Sequence, residues 1–249
     1  MKDSRGGKGG GADIPFSTKN AIVRQHEESA RKQSRYDAEY AAYNKRFQDQ
    51  YGWNIDSSMR GQQWSAARES ISGVEQVLKM YPGAQQYLKG SGLAATGLSI
   101  STLGQANLGT GHIEINDVWF KDRDTVNLIM AQTSKTGFHP AGSTAQGVST
   151  HEAGHLLVTA ISRKTGQSYD TVAKDIVNSA IRNPAVQNYM RRKYGSARNT
   201  GLLRNSLSRY AASNNHETIA EAVSDYAGRG SQAHILSRAI NQELRKRLR

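Results

Sequence analysis

Residues 148–158 read VSTHEAGHLLV, so two histidines stand four positions apart and a glutamate follows the first. On an α-helix, side chains four positions apart differ by only about 40° in direction. His151 and His155 would therefore present their imidazoles on one face, at a separation that suits a single tetrahedral metal ion. Glu152, rotated by about 100° from His151, would reach a water on the same ion and accept its proton. The stretch predicts a metal site on a helix; the alternative is three polar residues that merely share a helix.

The neighbouring residues indicate the limits of this helix and the kind of metal that it would bind. Ser149 or Thr150 suits an N-cap, apolar positions then supply a buried face, and Gly166 ends the pattern, so we expect a helix over about residues 150–163. The chain contains no cysteine, so the ligands must be nitrogen and oxygen. Zinc suits such a site because it lowers the pKa of bound water and polarises a carbonyl, and it needs a third protein ligand.

Residues 208–228, SRYAASNNHETIAEAVSDYAG, are the best candidates for that ligand. Asn214 or Asn215 would cap a helix there, and Glu217, Glu221 and Asp225 follow at steps of four on one face. One carboxylate would bind the metal and the next would orient a ligating histidine. The alternative is an acidic helix face in solvent. Three other histidines remain candidate ligands: His112, His139 and His216. We expect His112 and His139 to lie in a loop or at the rim of the site.

The chain before the main domain divides into a tail and a helical extension. Residues 1–18 are rich in glycine and predict a disordered basic tail. Residues 19–65 form the N-terminal extension, in which aromatic residues at helical spacing predict a helix to about Tyr51. This aromatic stripe would pack against the main domain or dock a partner protein. Its members are Tyr36, Tyr40, Tyr43, Phe47 and Tyr51.

Residues 66–249 predict an α+β domain that is mostly helical with a small sheet. Ile113 and Ile115 alternate with polar residues, which indicates a strand over residues 112–116. Periodicity and helix breakers indicate the helices. We expect them over residues 65–80, 124–132, 169–182, 185–194, 215–227 and from Ser231, with a short helical piece at 84–89.

The net charge of +12 predicts attraction to acidic partners, nucleic acid or anionic surfaces. The segment from Arg182 to Arg209 carries seven cations and no acidic residue, and the chain ends in ELRKRLR. This basic surface is either a solvated face or a contact for nucleic acid or an acidic protein. The sequence has neither the apolar run of a Sec signal peptide nor one long enough for a membrane span. We therefore expect a protein that is soluble where it is made.

HEAGH at residues 151–155, followed by YAASNNHETIAEAV at residues 210–223, resembles the gluzincin metallopeptidases of the anthrax lethal factor and Pro-Pro endopeptidase type, including zincin domains encoded in phage and toxin genes. Upstream, VLKMYPGAQQYL is similar to a family helix and proline turn, and GHIEINDVWFKD to its edge strand. GFHPAGSTAQGVSTHEAGH is similar to the approach to the metal helix. The resemblance covers roughly residues 66–230 and implies a zincin-like fold, with an edge strand at the border of the active-site cleft.

The resemblance also implies a function: a zinc-dependent endopeptidase in which a zinc-activated water attacks the peptide bond. His151, His155 and Glu217 would bind one zinc ion per chain, Glu152 would be the general base, Tyr210 would stabilise the transition state, and Glu221 would hold an imidazole. The strand at 112–116 would either pair with an extended substrate through Ile113, Glu114 and Ile115 or be an ordinary half-buried strand.

Two further functions and a location follow as expectations from the same resemblance. The protein would be phage- or toxin-associated and located in the cytoplasm of a bacterial host or on a phage particle. A secreted or injected toxin effector would share the chemistry and differ in its target. The alternative from another class is a non-catalytic phage structural or nucleic-acid-associated protein on a zincin scaffold.

Overall fold

The computed structural model describes residues 16–249, with side chains from residue 20 onward except residue 22. The disordered tail was predicted over residues 1–18. Its first 15 residues lie outside the described part of the chain. The chain divides into two compact units, Met1–Ala41 and Ala42–Arg249. The boundary falls inside the first helix, α1 (Phe16–Tyr51), which matches the helix predicted to end near Tyr51.

The second unit begins at Ala42, ahead of residue 66, where the sequence analysis placed the start of the main domain. Its first helical turns supply core residues: Phe47 and Tyr51 are buried, and the Tyr43 ring meets that of Trp64 edge-on with 6.1 Å between centroids. The end of the aromatic stripe thus packs inside the second unit. Tyr36 and Tyr40 belong to the first unit.

Eight further helices in the described residues carry most of the second unit. They are α2 (Trp64–Met80), α3 (Arg123–Lys135), α4 (Ala145–Thr165), α5 (Tyr169–Arg182), α6 (Pro184–Tyr194), α7 (Thr200–Leu207), α8 (Asn215–Arg229) and α9 (Ile235–Arg247). Short 3₁₀ segments lie at Ser57–Gly61, Pro82–Tyr87 and Gly230–Gln232. The predicted helices are all present, but the last begins at Ile235 instead of Ser231, which lies in a 3₁₀ segment, and α7 was not predicted. No helix within residues 16–249 is long and apolar enough to cross a membrane.

The start predicted for α4 was wrong. The helix begins at Ala145 with Thr144 as N-cap, so Ser149 and Thr150 lie inside it. Both hydroxyls donate to carbonyls three residues earlier, Ser149 Oγ to Gln146 at 3.1 Å and Thr150 Oγ1 to Gly147 at 2.9 Å. A Ser or Thr hydroxyl can form its hydrogen bond to a preceding carbonyl inside a helix as well as to an amide at the N-cap. Ser149 and Thr150 therefore did not mark the start of α4. The predicted end is confirmed, since Gly166 adopts the left-handed conformation with φ 71°.

Within residues 16–249, four strands form one mixed sheet in the order β1 (Asn54–Ile55), β2 (Gly92–Thr96), β4 (His112–Asn116), β3 (Gly104–Asn107). β1 pairs with β2 and β2 with β4 in parallel, and β3 pairs with β4 antiparallel. The structure is therefore α+β and mostly helical, as predicted. The strand predicted at residues 112–116 is confirmed, but its placement at an edge was wrong. β4 is flanked on both sides, Ile113 and Ile115 are fully buried, and the edge on this side is β3.

α4 is the central helix of the second unit and packs against α2, α5, α8 and the sheet. It approaches α8 closely at Gly154, where an added Cβ would lie 2.8 Å from Ala220 Cα. A helical glycine costs about 1 kcal/mol relative to alanine, so this position trades helix stability for close packing. The approach brings the first turn of α8 opposite the two histidines of α4.

Candidate metal centre

Three side chains from α4 and α8 converge on one point. His151, His155 and Glu217 each offer a ligand atom, and these atoms lie within 4.8 Å of one another. Glu217 Oε2 is 3.0 Å from His151 Nε2 and 3.5 Å from His155 Nε2. The N-cap places this carboxylate, because Asn214 Oδ1 accepts a hydrogen bond from Glu217 N at 2.9 Å. The structure thus brings together the ligand set predicted from the sequence.

The buried oxygen of Glu217 tests whether this geometry fits a metal ion. Glu217 Oε2 forms no hydrogen bond, although two imidazole nitrogens lie close to it. An unsatisfied buried carboxylate oxygen is costly in a folded protein. A cation shared with the two Nε2 atoms would satisfy it. Two imidazoles and one carboxylate, without sulfur, are the protein ligands of many catalytic zinc sites. The residues present therefore fit zinc.

The charges around His151 also favour a cation. Burial opposes protonation of His151, but the Glu217 and Glu221 carboxylates outweigh it and raise its pKa well above the usual value. Burial would raise the pKa of Glu217, yet His151 and His155 hold that pKa far below its usual range. Burial would also raise the pKa of Glu221, but His139 and His151 lower it to about 2. Both carboxylates therefore stay ionised and attract positive charge to this point.

Glu221 lies behind His151, as predicted. Its Oε1 is 2.8 Å from His151 Nδ1 and 3.2 Å from His139 Nδ1, and its Oε2 accepts a hydrogen bond from Ser208 Oγ at 2.8 Å. The His151 contact is close but not aligned as a hydrogen bond. His139 sits in the loop before α4, where the sequence placed it, but its bond to Glu221 was not foreseen. Ser208 was also missed, since no local spacing links it to α8.

Tyr169, at the start of α5, lies behind His155. Its hydroxyl is 3.2 Å from His155 Nδ1. The Tyr169 ring stacks on His216 with 4.3 Å between centroids, and His216 Nε2 is 2.7 Å from Asp170 Oδ1. His216 is therefore not part of the ligand group but supports the tyrosine. Sequence reasoning missed Tyr169, which reaches the site from a different helix and belongs to no recognised motif.

The third acidic residue on the predicted face of α8 lies away from the centre. Asp225 pairs with Arg229 and accepts a hydrogen bond from His234 N at 2.8 Å. His112 lies in β4, with its ring near Gly92 of the neighbouring strand. Neither Asp225 nor His112 belongs to the candidate ligand group.

Tyr210 covers the centre from the segment before α8. Its ring stacks on His151 with 5.7 Å between centroids and on Phe138 with 5.2 Å. Two backbone bonds fix the segment, Arg209 N to Gly137 O at 2.7 Å and Tyr210 N to Phe138 O at 3.1 Å. Burial, with the Glu217 and Glu152 carboxylates, raises the pKa of Tyr210, so the phenol keeps its proton and remains a hydrogen-bond donor.

Glu152 is buried between α4 and the edge strand. Burial raises its pKa, against the opposing effect of His151 and His155. An added Cβ at Gly104 of β3 would lie 3.3 Å from Glu152 Cγ, and the Ala106 amide helps to stabilise the carboxylate. A carboxylate with a raised pKa beside a metal site can both accept and return a proton.

A cavity of about 430 Å³ opens beside these groups and is lined in part by His151, Glu152 and Tyr210. Gly104 of β3 lines it as well, whereas the predicted substrate residues Ile113, Glu114 and Ile115 do not. The two isoleucines are buried, and Glu114 Oε2 accepts a hydrogen bond from Gln105 Nε2. Their assignment to substrate binding was therefore wrong, because the neighbouring strand β3 occupies the edge.

The basic segment from Arg182 to Arg209 covers α6 and α7 and reaches the loop before α8. Six of its cations are exposed, and only Arg204 is half-buried, with Nε donating to Ala211 O and to Thr218 Oγ1. Arg204 thus supports the Tyr210 segment, while the other cations face solvent.

Comparison with models of protein families, with curated proteins and with solved structures finds no match.

Proposed function

We propose that this chain is a zinc-dependent endopeptidase of the gluzincin type with a zincin-like domain. One observation carries the proposal: His151, His155 and Glu217 converge around a buried oxygen that forms no hydrogen bond, and Glu152 lies next to them. The same residues carry the resemblance to the lethal factor and Pro-Pro endopeptidase type. The cavity at this point is lined by His151 and Glu152 and gives a substrate access to them.

His151 Nε2, His155 Nε2 and Glu217 would hold one zinc ion per chain. Bound zinc supplies Lewis acidity, which lowers the pKa of water and polarises a carbonyl. Glu221 orients the His151 imidazole and Tyr169 that of His155, so each ring has a partner on its other nitrogen. Such partners fix the tautomer and direction of a ligating histidine.

The protein's own groups would carry the proton and the charge. Glu152 accepts a proton from the attacking water and returns it to the leaving amine, a role for which its raised pKa is suited. Tyr210 donates a hydrogen bond to the oxygen of the substrate carbonyl as negative charge develops there. Its raised pKa keeps the phenol protonated in this role.

The edge strand favours a polypeptide substrate. Along an antiparallel ladder, hydrogen-bonded residue pairs alternate with non-hydrogen-bonded pairs. Leu103 and Asn116 form a hydrogen-bonded pair, since Asn116 N donates to Leu103 O at 2.9 Å. By this alternation, the backbone groups of Gly104 and Ala106 are directed away from β4. The Ala106 amide reaches the Glu152 carboxylate, so an extended peptide that paired with the other groups of this edge as an added strand would pass beside Glu152.

Metal analysis and a Glu152→Gln variant test the proposal. The wild type should bind about one zinc per chain and cleave polypeptides, while Glu152→Gln should keep the zinc and lose about 10²- to 10⁴-fold in cleavage rate, as expected for loss of a general base. Glu243→Gln on α9 is the matched control and should retain activity. A wild type that binds no offered zinc would remove the enzyme hypothesis.

The exposed basic segment supports the second candidate, a nucleic-acid-associated protein on the same scaffold. Six exposed cations without an acidic neighbour in the segment suit a phosphate backbone. Zinc binding without any cleavage, combined with DNA binding that weakens steeply as salt rises, would favour this candidate over the peptidase.

A further inference from the structure

The Glu221 carboxylate is held by two groups besides the imidazole of His151. Glu221 is 1 % exposed, and its Oε2 accepts a hydrogen bond from Ser208 Oγ at 2.8 Å. Its Oε1 lies 2.8 Å from His151 Nδ1 and 3.2 Å from His139 Nδ1. Of these two nitrogens, that of His139 is aligned for a hydrogen bond, whereas that of His151 is not. Ser208 and His139 therefore determine where the carboxylate lies behind His151.

The charge of Glu221 determines the direction of its bond with His139. Burial opposes ionisation, yet His139 and His151 lower the pKa of Glu221 to about 2, so near neutral pH its oxygens can only accept hydrogen bonds. His139 Nδ1 must then carry a proton and donate it to Oε1. Hydrogen bonds to an ionised acceptor are stronger than those between neutral groups. The His139 side chain is only 15 % exposed, so water competes little for this bond.

The two residues that hold Glu221 also flank Tyr210. Ser208 lies two positions before Tyr210, and its Oγ accepts a hydrogen bond from Ala211 N at 2.8 Å. His139 directly follows Phe138, whose carbonyl accepts a hydrogen bond from Tyr210 N at 3.1 Å. The His139 ring meets the Tyr210 ring edge-on, with 5.9 Å between centroids. Glu221 thus connects the segment that bears Tyr210 to the histidine on which the Tyr210 ring is stacked.

The loop that carries His139 is held in place independently of Glu221. Phe138 N donates to Thr133 O at 2.9 Å. The carbonyl of Pro140 accepts hydrogen bonds from Ser134 Oγ at 2.9 Å and from Ser143 Oγ at 2.8 Å. The backbone on both sides of His139 is therefore fixed by other groups, and a change of the His139 side chain should act on Glu221 without releasing the loop.

We propose that His139 is a positioning residue of the candidate metal centre: it holds Glu221 in place and thereby sets the direction of the His151 imidazole and the position of Tyr210 on it. A carboxylate behind a ligating imidazole fixes the tautomer and direction of the ring, and it does so more precisely when its own position is fixed. This inference rests on the proposed function and adds to it a residue outside the ligand set.

The zinc affinities of His139→Phe and His139→Asn, measured by competition with a chromophoric chelator, test the proposal. Phenylalanine keeps a ring against Tyr210 but cannot donate to Glu221, so zinc affinity should fall by about tenfold or more. Asparagine places an amide N–H near the position of Nδ1 and should restore most of the affinity. Wild-type affinity in His139→Phe, or an equal loss in both variants, would overturn the inference.

Peptide cleavage by the zinc-saturated variants separates positioning from a general effect on the loop. Because Tyr210 would act on the transition state, its displacement in His139→Phe should lower kcat by about tenfold and leave KM close to that of the wild type. Ser134→Ala is the matched control, since it removes a hydrogen bond to the same loop without touching Glu221. It should keep the wild-type zinc affinity and kcat, and losses as large as those of His139→Phe would overturn the inference.

Long-range ¹H–¹⁵N NMR spectra of the metal-free protein test the bond without zinc or cleavage, and His139→Phe assigns the His139 signals. His139 should carry a proton on Nδ1. A ring protonated on Nε2 alone would overturn the inference even if the chain were an active peptidase. A proton on Nδ1, together with weaker zinc binding in His139→Phe than in the wild type, would support it even if the chain cleaved no peptide and the peptidase proposal failed.

Discussion

The two imidazoles of the candidate metal centre, His151 and His155, have chemically different partners. Behind His151 lies Glu221, a carboxylate whose pKa is lowered to about 2 and which stays ionised. Behind His155 lies a neutral phenol, since burial raises the pKa of Tyr169 above its usual value. A carboxylate partner increases the basicity of an imidazole more than a hydroxyl does. His151 should therefore be the stronger ligand, and His155 the one more dependent on correct placement.

Tyr169→Phe tests this dependence at a single atom. Removing the hydroxyl leaves the ring and its stacking on His216 but frees His155 Nδ1, so zinc affinity should fall by about 10- to 100-fold. Competition with a chromophoric chelator measures the affinity directly. Tyr189→Phe on α6, whose hydroxyl contacts Lys193, is the matched control and should bind zinc as the wild type does. Equal affinity in Tyr169→Phe would show that the hydroxyl does not position His155.

Among the helices, the contact of α4 with α8 determines the site. The candidate ligands come from both helices: α4 carries His151 and His155, and the first turn of α8 carries Glu217. Their distances therefore depend on how closely the two helices pack. The helices approach at Gly154, and the added Cβ of any other residue would meet Ala220. The glycine inside HEAGH is therefore a packing requirement of the candidate metal centre.

Gly154→Ala should separate these helices. Alanine raises helix propensity by about 1 kcal/mol, but overpacking typically costs about 1–3 kcal/mol, so we expect a net loss of stability and weaker zinc binding. Urea unfolding and chelator competition measure the two effects. Gly228→Ala, also in α8 but with no atom within 4 Å of the added Cβ, should be neutral or stabilising. A fully stable Gly154→Ala with unchanged zinc affinity would contradict the packing argument.

The sequence predicted those elements that are determined by residues close together in the chain. The helix with His151 and His155, a cap at Asn214 or Asn215 and the acidic face of α8 follow from contacts within a few turns, whereas the choice of Glu217 on that face came from the family resemblance. β3 was not predicted, because Gly-Gln-Ala-Asn has low strand propensity and forms a strand only by pairing with β4. Partners such as Tyr169 and His139 reach the site across the fold, and no pattern in one sequence marks such contacts.

At the scale of the whole second unit, a buried histidine makes stability depend on pH. His234 Nε2 is 3.0 Å from Ser206 Oγ, and its Nδ1 accepts a hydrogen bond from Leu236 N at the start of α9. An Nδ1 that accepts cannot carry a proton, so the folded state requires the neutral ring. Burial lowers the pKa of His234 from 6.5 to about 4, with nearby cations adding to the effect and Asp225 opposing it.

The sign of this dependence follows from the lowered pKa. Between pH 6.5 and pH 4 the unfolded chain binds the proton and the folded chain does not, so stability falls as the pH is lowered through this range. The loss attributable to His234 should be roughly 2–3 kcal/mol. In His234→Asn the side chain can still cap α9 but cannot titrate, so the acid loss should shrink. Urea unfolding at each pH measures this, with the exposed His26→Gln as control; equal acid sensitivity in His234→Asn and wild type would rule His234 out.

The chain contains three tryptophans, and two of them, Trp53 and Trp64, are buried in the core. The third, Trp119, lies in the cavity wall and is bonded to the loop that bears Ile100. A molecule entering the cavity would change the polarity around this indole and leave the other two unchanged. The protein thus has its own fluorescent reporter of occupancy, and Trp119→Phe supplies the blank for the measurement.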